Sequence, residues 1–442
     1  MQYNRLLAFS VVAVVAMLQG CARDPNVEWK KMAQEAQAYT AERKNDEAAK
    51  AWERALRYSK THFKNQGRSV AFSYGSLAKS YQKMGRVAEA ESLYEKAIAI
   101  YEVGAATDTL NKATTLYDAG RFFSGIGRFS SAETCLKQCL ALREKALGTE
   151  HRDVSMALNE LAGVYGSQGL TTRARVLLER AYAIDQKTLP ADHPNLTITS
   201  GNLGMIYLEE KDYNKATPML NRALSAEIKV PGADWGGAAD LQSALAKCSR
   251  GQGNFLTAES LYKNAVSTAE RISPPDYEAR SYHLWNLGRF YSDQKRNPEA
   301  ERVLDSAMVV SIRATGPEST PTRQVMIDIA FLRDKQGRAA EAESLLQKSV
   351  AISEKGAKDN PVGLSEALSM LAGFYLHHER YREADPLYAR SIALLQAQEG
   401  RYNHTLGSYM EDYAKVLKKL GQTKRADDMN KAAQQILSTA KD

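Results

Sequence analysis

The sequence predicts an all-α fold, a solenoid of about ten helical hairpins stacked in a row. Three observations carry that prediction. The stretch GRVAEAESLYEKAIAI at 85–100 returns at 337–352 as GRAAEAESLLQKSVAI, with eleven of sixteen letters shared. The two copies belong to one register that recurs every 42 residues from Arg43 to Gly421. Composition adds the third: 44% hydrophobic, 25% charged and only 12 prolines among 442 residues describe a folded chain, not a low-complexity one.

The register is set by ten anchors: Arg43, Gly85, Gly127, Gly169, Lys211, Gly253, Lys295, Gly337, Glu379 and Gly421. Seven residues before each anchor the chain carries only Ala or Gly, from Ala36 and Ala78 through Gly120 and Gly288 to Ala414. Five residues after, it carries Ala every time, from Ala48 to Ala426. Nine after, it carries a large residue, such as Trp52, Tyr94, Leu304 or Tyr388, until Asn430 breaks the row. Twelve after, Ala, Ser or Cys returns.

Each element of the hairpin follows. Positions eight, seven and four before the anchor, as in Leu161, Ala162 and Tyr165, share one face of a first helix. Positions five, nine and twelve after it, as in Ala90, Tyr94 and Ala97, share one face of a second helix. The anchor, most often Gly, is the turn between them. Small residues let the helices approach closely, and large ones fill the space around them. Prolines 190, 194, 231, 274, 275, 317 and 361 fall in the loops that join successive hairpins. The Gly-rich stretch PGADWGGAAD at 231–240 reads as a local turn or a hinge. The first unit, with Glu35 on its apolar face, and the last, with a polar second helix, read as caps.

This pattern resembles the tetratricopeptide repeat over residues 29–438, in its 42-residue, kinesin-light-chain-like form. The stretches LGTEHRDVSMALNELAGVYGSQG (147–169) and LPADHPNLTITSGNLGMIYLEEK (189–211) carry that likeness. The resemblance implies a right-handed superhelix whose first helices line a concave face that binds protein segments. His151 and His193, 42 residues apart, then occupy one structural loop site and are not metal ligands.

Ahead of the array, Met1–Arg5 carries one positive charge and Leu6–Leu18 is apolar apart from Ser10. At ~1.5 Å per residue this run is too short to span a bilayer permanently, and it has the length of a signal-peptide core. Leu18-Gln19-Gly20-Cys21 resembles a bacterial lipobox. The expectation is therefore a signal peptide over 1–20, a lipidated Cys21 and a short tether over 21–28. Ala22, where a retention signal would carry Asp, favours the outer membrane, facing the periplasm. Cys135 and Cys139, one turn apart, suit neither a disulfide nor a metal site, and with Cys248 they read as small core residues.

No Walker-type phosphate loop, His-Glu-x-x-His, Gly-x-Ser-x-Gly or Cys-x-x-Cys occurs. The sequence thus points to no enzyme, no cofactor, no metal and no small-molecule substrate. A net charge of +7, with both signs interspersed, lacks the concentrated basic patch of a nucleic-acid binder.

Six residues before the anchors stand Gln37, Lys79, Arg121, Gly163, Met205, Lys247, Arg289, Phe331, Gly373 and Lys415, of which five are basic and none acidic. Lys83 lies one turn beyond Lys79 on the same face. Asn159, Asn202 and Asn286 stand nearby, and in light-chain-like repeats such amides hold the main chain of an extended peptide. The candidate peptide site is therefore Lys79, Lys83, Arg121, Asn159, Asn202, Lys247, Asn286, Arg289 and Lys415, with a bias toward acidic segments. Asp118, Asp328 and Asp412 dilute that bias. The expected function is a membrane-anchored envelope scaffold binding protein segments in its groove. The alternative is a spacer or assembly factor bound through its convex face.

Overall fold

The computed structural model describes residues 24–63, 67–103, 109–229, 235–398 and 403–439. The expected signal peptide and Cys21 lie outside these residues, as does 231–234 of the Gly-rich stretch. The described residues hold twenty helices and no strand. The described residues form two compact units, divided between Ile206 and Tyr207.

In the first unit α1 (Pro25–Ala41) pairs with α2 (Asn45–His62), α3 (Arg68–Lys83) with α4 (Val87–Val103), α5 (Thr109–Gly125) with α6 (Phe129–Leu147), and α7 (Arg152–Ser167) with α8 (Thr171–Thr188). Helix α9 (Pro194–Glu209) follows, and the boundary between the units falls inside it. The second unit continues with α10 (Tyr213–Glu227). It then pairs α11 (Trp235–Gly251) with α12 (Phe255–Ala269), α13 (Tyr277–Asp293) with α14 (Asn297–Thr315), α15 (Thr320–Lys335) with α16 (Ala339–Lys355), α17 (Pro361–His377) with α18 (Tyr381–Gln396), and α19 (Asn403–Lys419) with α20 (Thr423–Thr439). Nine helix pairs, with α9 and α10 between them in chain order, make up an all-α solenoid of about ten hairpins, as the period predicts. Residues 25–28, assigned to the tether, are the first turn of α1, because Pro25 opens the helix and Asp24 caps it by accepting from Asn26 N. Trp235, in the Gly-rich stretch, likewise opens α11 rather than a loop.

Every anchor adopts a left-handed conformation, with φ between 58° and 79°, whether it is Gly or not. The turn demands this backbone, so four units hold a strained Arg43, Lys211, Lys295 or Glu379. Lys295→Gly removes a penalty of about 1–2 kcal/mol and adds about 0.4–1 kcal/mol of unfolded-chain entropy. A net gain of about 0.5–1 kcal/mol is expected by urea denaturation. Gly253→Ala, at the same turn one unit earlier, is expected to lose stability.

The ten alanines five residues past the anchors are all buried, as are the small residues seven before and twelve after. Of the large residues nine after, Trp52, Tyr94, Leu136, Leu178, Leu220, Tyr262, Leu304, Leu346 and Tyr388 are buried, while Asn430 is exposed in the terminal hairpin. Cys135, Cys139 and Cys248 are free and buried. Burial pushes the thiols of Cys135 and Cys139 up to about 11, so they are protonated and inert at neutral pH.

A second pattern joins neighbouring hairpins at their turn ends. Tyr165, Tyr291 and Tyr375, each four residues before an anchor, donate to Glu133, Glu259 and Glu343 of the preceding hairpin at 3.0, 3.0 and 2.8 Å. The arginine just past the anchor completes two of these. Arg296 and Arg380 reach the same carboxylates at 2.6 and 2.7 Å, with their guanidinium groups over the tyrosine rings. Arg296, Lys263 and Tyr291 together hold the Glu259 carboxyl down at about 2.

Candidate functional site

The predicted site residues lie on the first helices, and the two units hold them separately. The first unit has Lys79, Lys83, Arg121, Asn159 and Asn202, and the second has Lys247, Asn286, Arg289 and Lys415.

The basic row is largely neutralised by a companion row three residues earlier in each following hairpin. Lys79 lies 2.9 Å from Asp118, Arg121 3.0 Å from Glu160, and Arg289 3.6 Å from Asp328. Lys415 pairs within its own helix with Asp412 at 2.6 Å. The acids that dilute the field are thus its direct partners. Lys247 faces an aromatic ring instead, with Nζ 3.4 Å from the Tyr282 hydroxyl. Lys83 is exposed and makes no ion pair among the described residues. These half-exposed pairs are each worth about 0–1 kcal/mol, but they leave little free positive charge for an acidic ligand.

The three asparagines part company. Asn286 is 7% exposed and its amide nitrogen donates to the Tyr282 carbonyl at 3.1 Å, so it serves its own helix. Asn159 and Asn202 come together across α7 and α9, with Asn202 Nδ2 3.5 Å from Asn159 Oδ1. On the same face of α9 as Asn202 stand Ile198 and Met205, 57% and 42% exposed. The result is a strip of one amide pair between apolar side chains.

Two pockets open beside these residues. In the first unit Gln37, Thr40, Trp52, Phe72, Gly75 and the Lys79–Asp118 pair line a pocket of about 310 Å³. In the second, Tyr282, Trp285, Pro321, Gln324, Val325 and Glu278 line one of about 270 Å³. Trp285 donates its indole N–H to Asp328, and Arg289 lies over its ring at 5.0 Å. Burial raises the Asp328 carboxyl above its ordinary value. The sequence reading missed Tyr282 and Trp285. Their signal was present: seven and four residues before Arg289, they share its helical face.

Ser243, His283 and Asp240 have the composition of a hydrolytic triad, but Ser243 is 2% exposed and cannot meet a substrate. Ser243 Oγ and His283 Nδ1 lie 2.9 Å apart, and His283 Nε2 is 3.7 Å from Asp240. Burial, aided by Lys247 and opposed by Asp276, lowers the His283 pKa to about 4. The unfolded imidazole titrates near 6.5, so stability is full above that value and is lost as pH falls through about 4. A loss of about 3 kcal/mol is expected across that window. Melting temperatures between pH 7 and 4.5 check it: His283→Gln is expected to flatten the decline.

His151 and His193 are helix caps, each accepting through Nδ1 from the backbone N–H two residues on, at 3.1 Å. His378 contacts Asp334 at 2.7 Å. Among the described residues no three His, Cys, Asp or Glu are grouped to hold a metal ion, and no helix is long and apolar enough to cross a membrane.

A tetratricopeptide repeat profile matches residues 32–102, 69–145, 111–187, 153–229, 195–271 and 277–355. No curated protein matches the chain significantly. Among solved structures, the apo form of the quorum sensor NprR from B. thuringiensis is similar at 15% identity and TM-score 0.62, over 84% of this chain and 100% of that one. A Rap protein complexed with competence and sporulation factor is similar at 13% identity and TM-score 0.52, over 85% and 99%. A putative kinesin light chain of Podosopora anserina, with nearly identical TPR-like repeats, is similar at 22% identity and TM-score 0.41, over 46% and 97%. These likenesses are of fold.

Proposed function

The chain belongs to the tetratricopeptide repeat family, and on that premise we propose that it is a lipid-anchored scaffold of the bacterial cell envelope. It holds extended segments of partner proteins on the face of its first helices. The family is generally non-catalytic and mediates protein–protein interactions. The observation that carries the groove is the Asn159–Asn202 pair lying on the same strip as exposed Ile198 and Met205. Amides supply the donor and acceptor that an extended main chain needs, and apolar neighbours take its side chains. Because Lys79, Arg121, Arg289 and Lys415 each have a carboxylate partner, attraction for acidic residues concentrates at Lys83 and Lys247. The 42-residue period supports the light-chain-like subtype.

The anchor rests on the apolar Leu6–Leu18 run and the Leu18–Cys21 junction, and Ala22 favours the outer membrane. Cys21→Ala is expected to leave an unlabelled precursor in cells fed a fatty-acid probe, and continued labelling would refute the anchor. For the groove, a photo-crosslinker at position 205 is expected to trap partners in cells, and Asn159→Ala with Asn202→Ala to abolish the adducts. Leu256, 87% exposed on the second helix α12, is the comparison position. Adducts from 256 alone would favour a spacer bound through another face.

A further inference from the structure

We propose that Asp185 is a positioning residue that fixes and strengthens the hydrogen-bond acceptor that Asn159 offers to the main-chain N–H of a bound segment. The inference rests on the peptide-binding reading above. Asp185, in α8, is fully buried, and no cation pairs with it among the described residues. Burying a carboxylate in this way costs several kcal/mol unless its bonds compensate. Ser311 and Ser353 stand at the equivalent position of other hairpins and are also buried, so packing alone does not call for an acid there.

The acid's contacts run outward in one line. Its Oδ2 accepts from the Thr199 hydroxyl at 2.6 Å, and its Oδ1 has no partner. Thr199 has a second acceptor, the Asn195 carbonyl at 2.9 Å. Its single proton is therefore directed away from Asn159 whichever acceptor it serves. The Thr199 oxygen is then free to accept from Asn159 Nδ2, at 2.7 Å. The other Asn159 N–H reaches the Ser155 carbonyl at 3.2 Å. Both amide protons are spent on the protein, which leaves Asn159 Oδ1 as the available group. Its one contact is the exposed Asn202 amide, at 3.5 Å, the longest bond of the set.

Two consequences follow. A chain of hydrogen bonds ending on an anion polarises each member in turn, so Asn159 Oδ1 becomes a stronger acceptor than an isolated amide. The pair also acquires a polarity: Asn159 accepts and Asn202 donates. That combination matches the N–H and C=O of an extended segment laid in one direction and mismatches the reverse.

The test uses the full chain in detergent and peptides selected from a random phage-displayed library, each then rebuilt with single N-methyl groups along its backbone. One methylation is expected to weaken wild-type binding about tenfold and to have no further effect in Asn159→Ala. Asp185→Asn and Thr199→Val are expected to shrink that penalty while Thr199→Ser retains it, with melting curves confirming that each variant folds. An unchanged penalty in both Asp185→Asn and Thr199→Val would overturn the relay and leave the groove standing. Selection of no peptide, or of peptides indifferent to both Asn159→Ala and Asn202→Ala, would overturn the groove itself.

Discussion

Leu304→Ala is expected to destabilise the second unit by about 2–5 kcal/mol, and Gly288→Ala to recover part of that loss when the two are combined. Leu304 is fully buried, so its truncation removes transfer energy and leaves a cavity. Its Cγ and Cδ2 lie 2.6 and 2.7 Å from where a Cβ on Gly288 would stand, and its backbone N 3.3 Å. Alone, Gly288→Ala therefore forces the leucine or the helix to shift, at about 1–3 kcal/mol. In the double variant the new methyl group enters the space that Leu304 vacates. A favourable coupling of about 1–2 kcal/mol is expected from urea denaturation of the four proteins. Strictly additive losses would show that α13 and α14 relax around the clash, and would remove close helix approach as the reason for Gly there. Gly120 repeats the arrangement against Leu136, again at 2.6 Å.

The contact between Gly288 and Leu304 is the kind of fact the sequence discloses readily. Hairpin packing is written at fixed spacing, because one hairpin cannot bury its apolar stripe alone and every copy meets the same neighbour. That is why the alanines, the large residues and the turns within hairpins were placed correctly, while Pro194 and Pro361, read as loop residues, open α9 and α17. Even the non-glycine anchors keep the left-handed turn, since the register outweighs the strain at Lys211 or Glu379. The site was less legible, for physical reasons. Lys79, Arg121 and Arg289 stand in a visible basic row, but their carboxylates come from the next hairpin, and one sequence position cannot show that a charge is matched. Asn286 and Asn202 occupy the same register, yet one is buried against its own helix and the other is exposed. Asp185 was invisible because its position holds Ser, Tyr, Arg, Glu, Ala or Leu elsewhere, and only its buried contact with Thr199 marks it.

The eighth hairpin supplies the other large expected effect. Arg333 stands where six other units have tyrosine, and its side chain is 10% exposed. It meets the Glu301 carboxylate directly, with Asp305 at 3.6 Å, while Arg338 reaches Glu301 at 3.2 Å. Burial lowers the Arg333 pKa, so its charge is held at a cost that Glu301 offsets. Glu301→Ala leaves Arg333 with the half-exposed Asp305 as its one nearby carboxylate among the described residues and a 3.4 Å bond to Gln336 Oε1, and is expected to destabilise by about 2–4 kcal/mol. Removing both charges should cost much less. Arg333→Leu in the Glu301→Ala background is expected to restore most of the loss, because Leu417 fills the same position in the last hairpin and is fully buried there. Arg333→Tyr with Glu301 intact should be nearly neutral, because it rebuilds the arrangement of Tyr291 with Glu259 and Arg296. Thermal melting at low and high salt separates the explanations. A buried pair keeps its effect in salt, whereas a screened surface pair loses it. If Glu301→Ala melts like the wild type at both salt levels, Arg333 is satisfied by water and the carboxylate that ties this hairpin to its neighbour is dispensable.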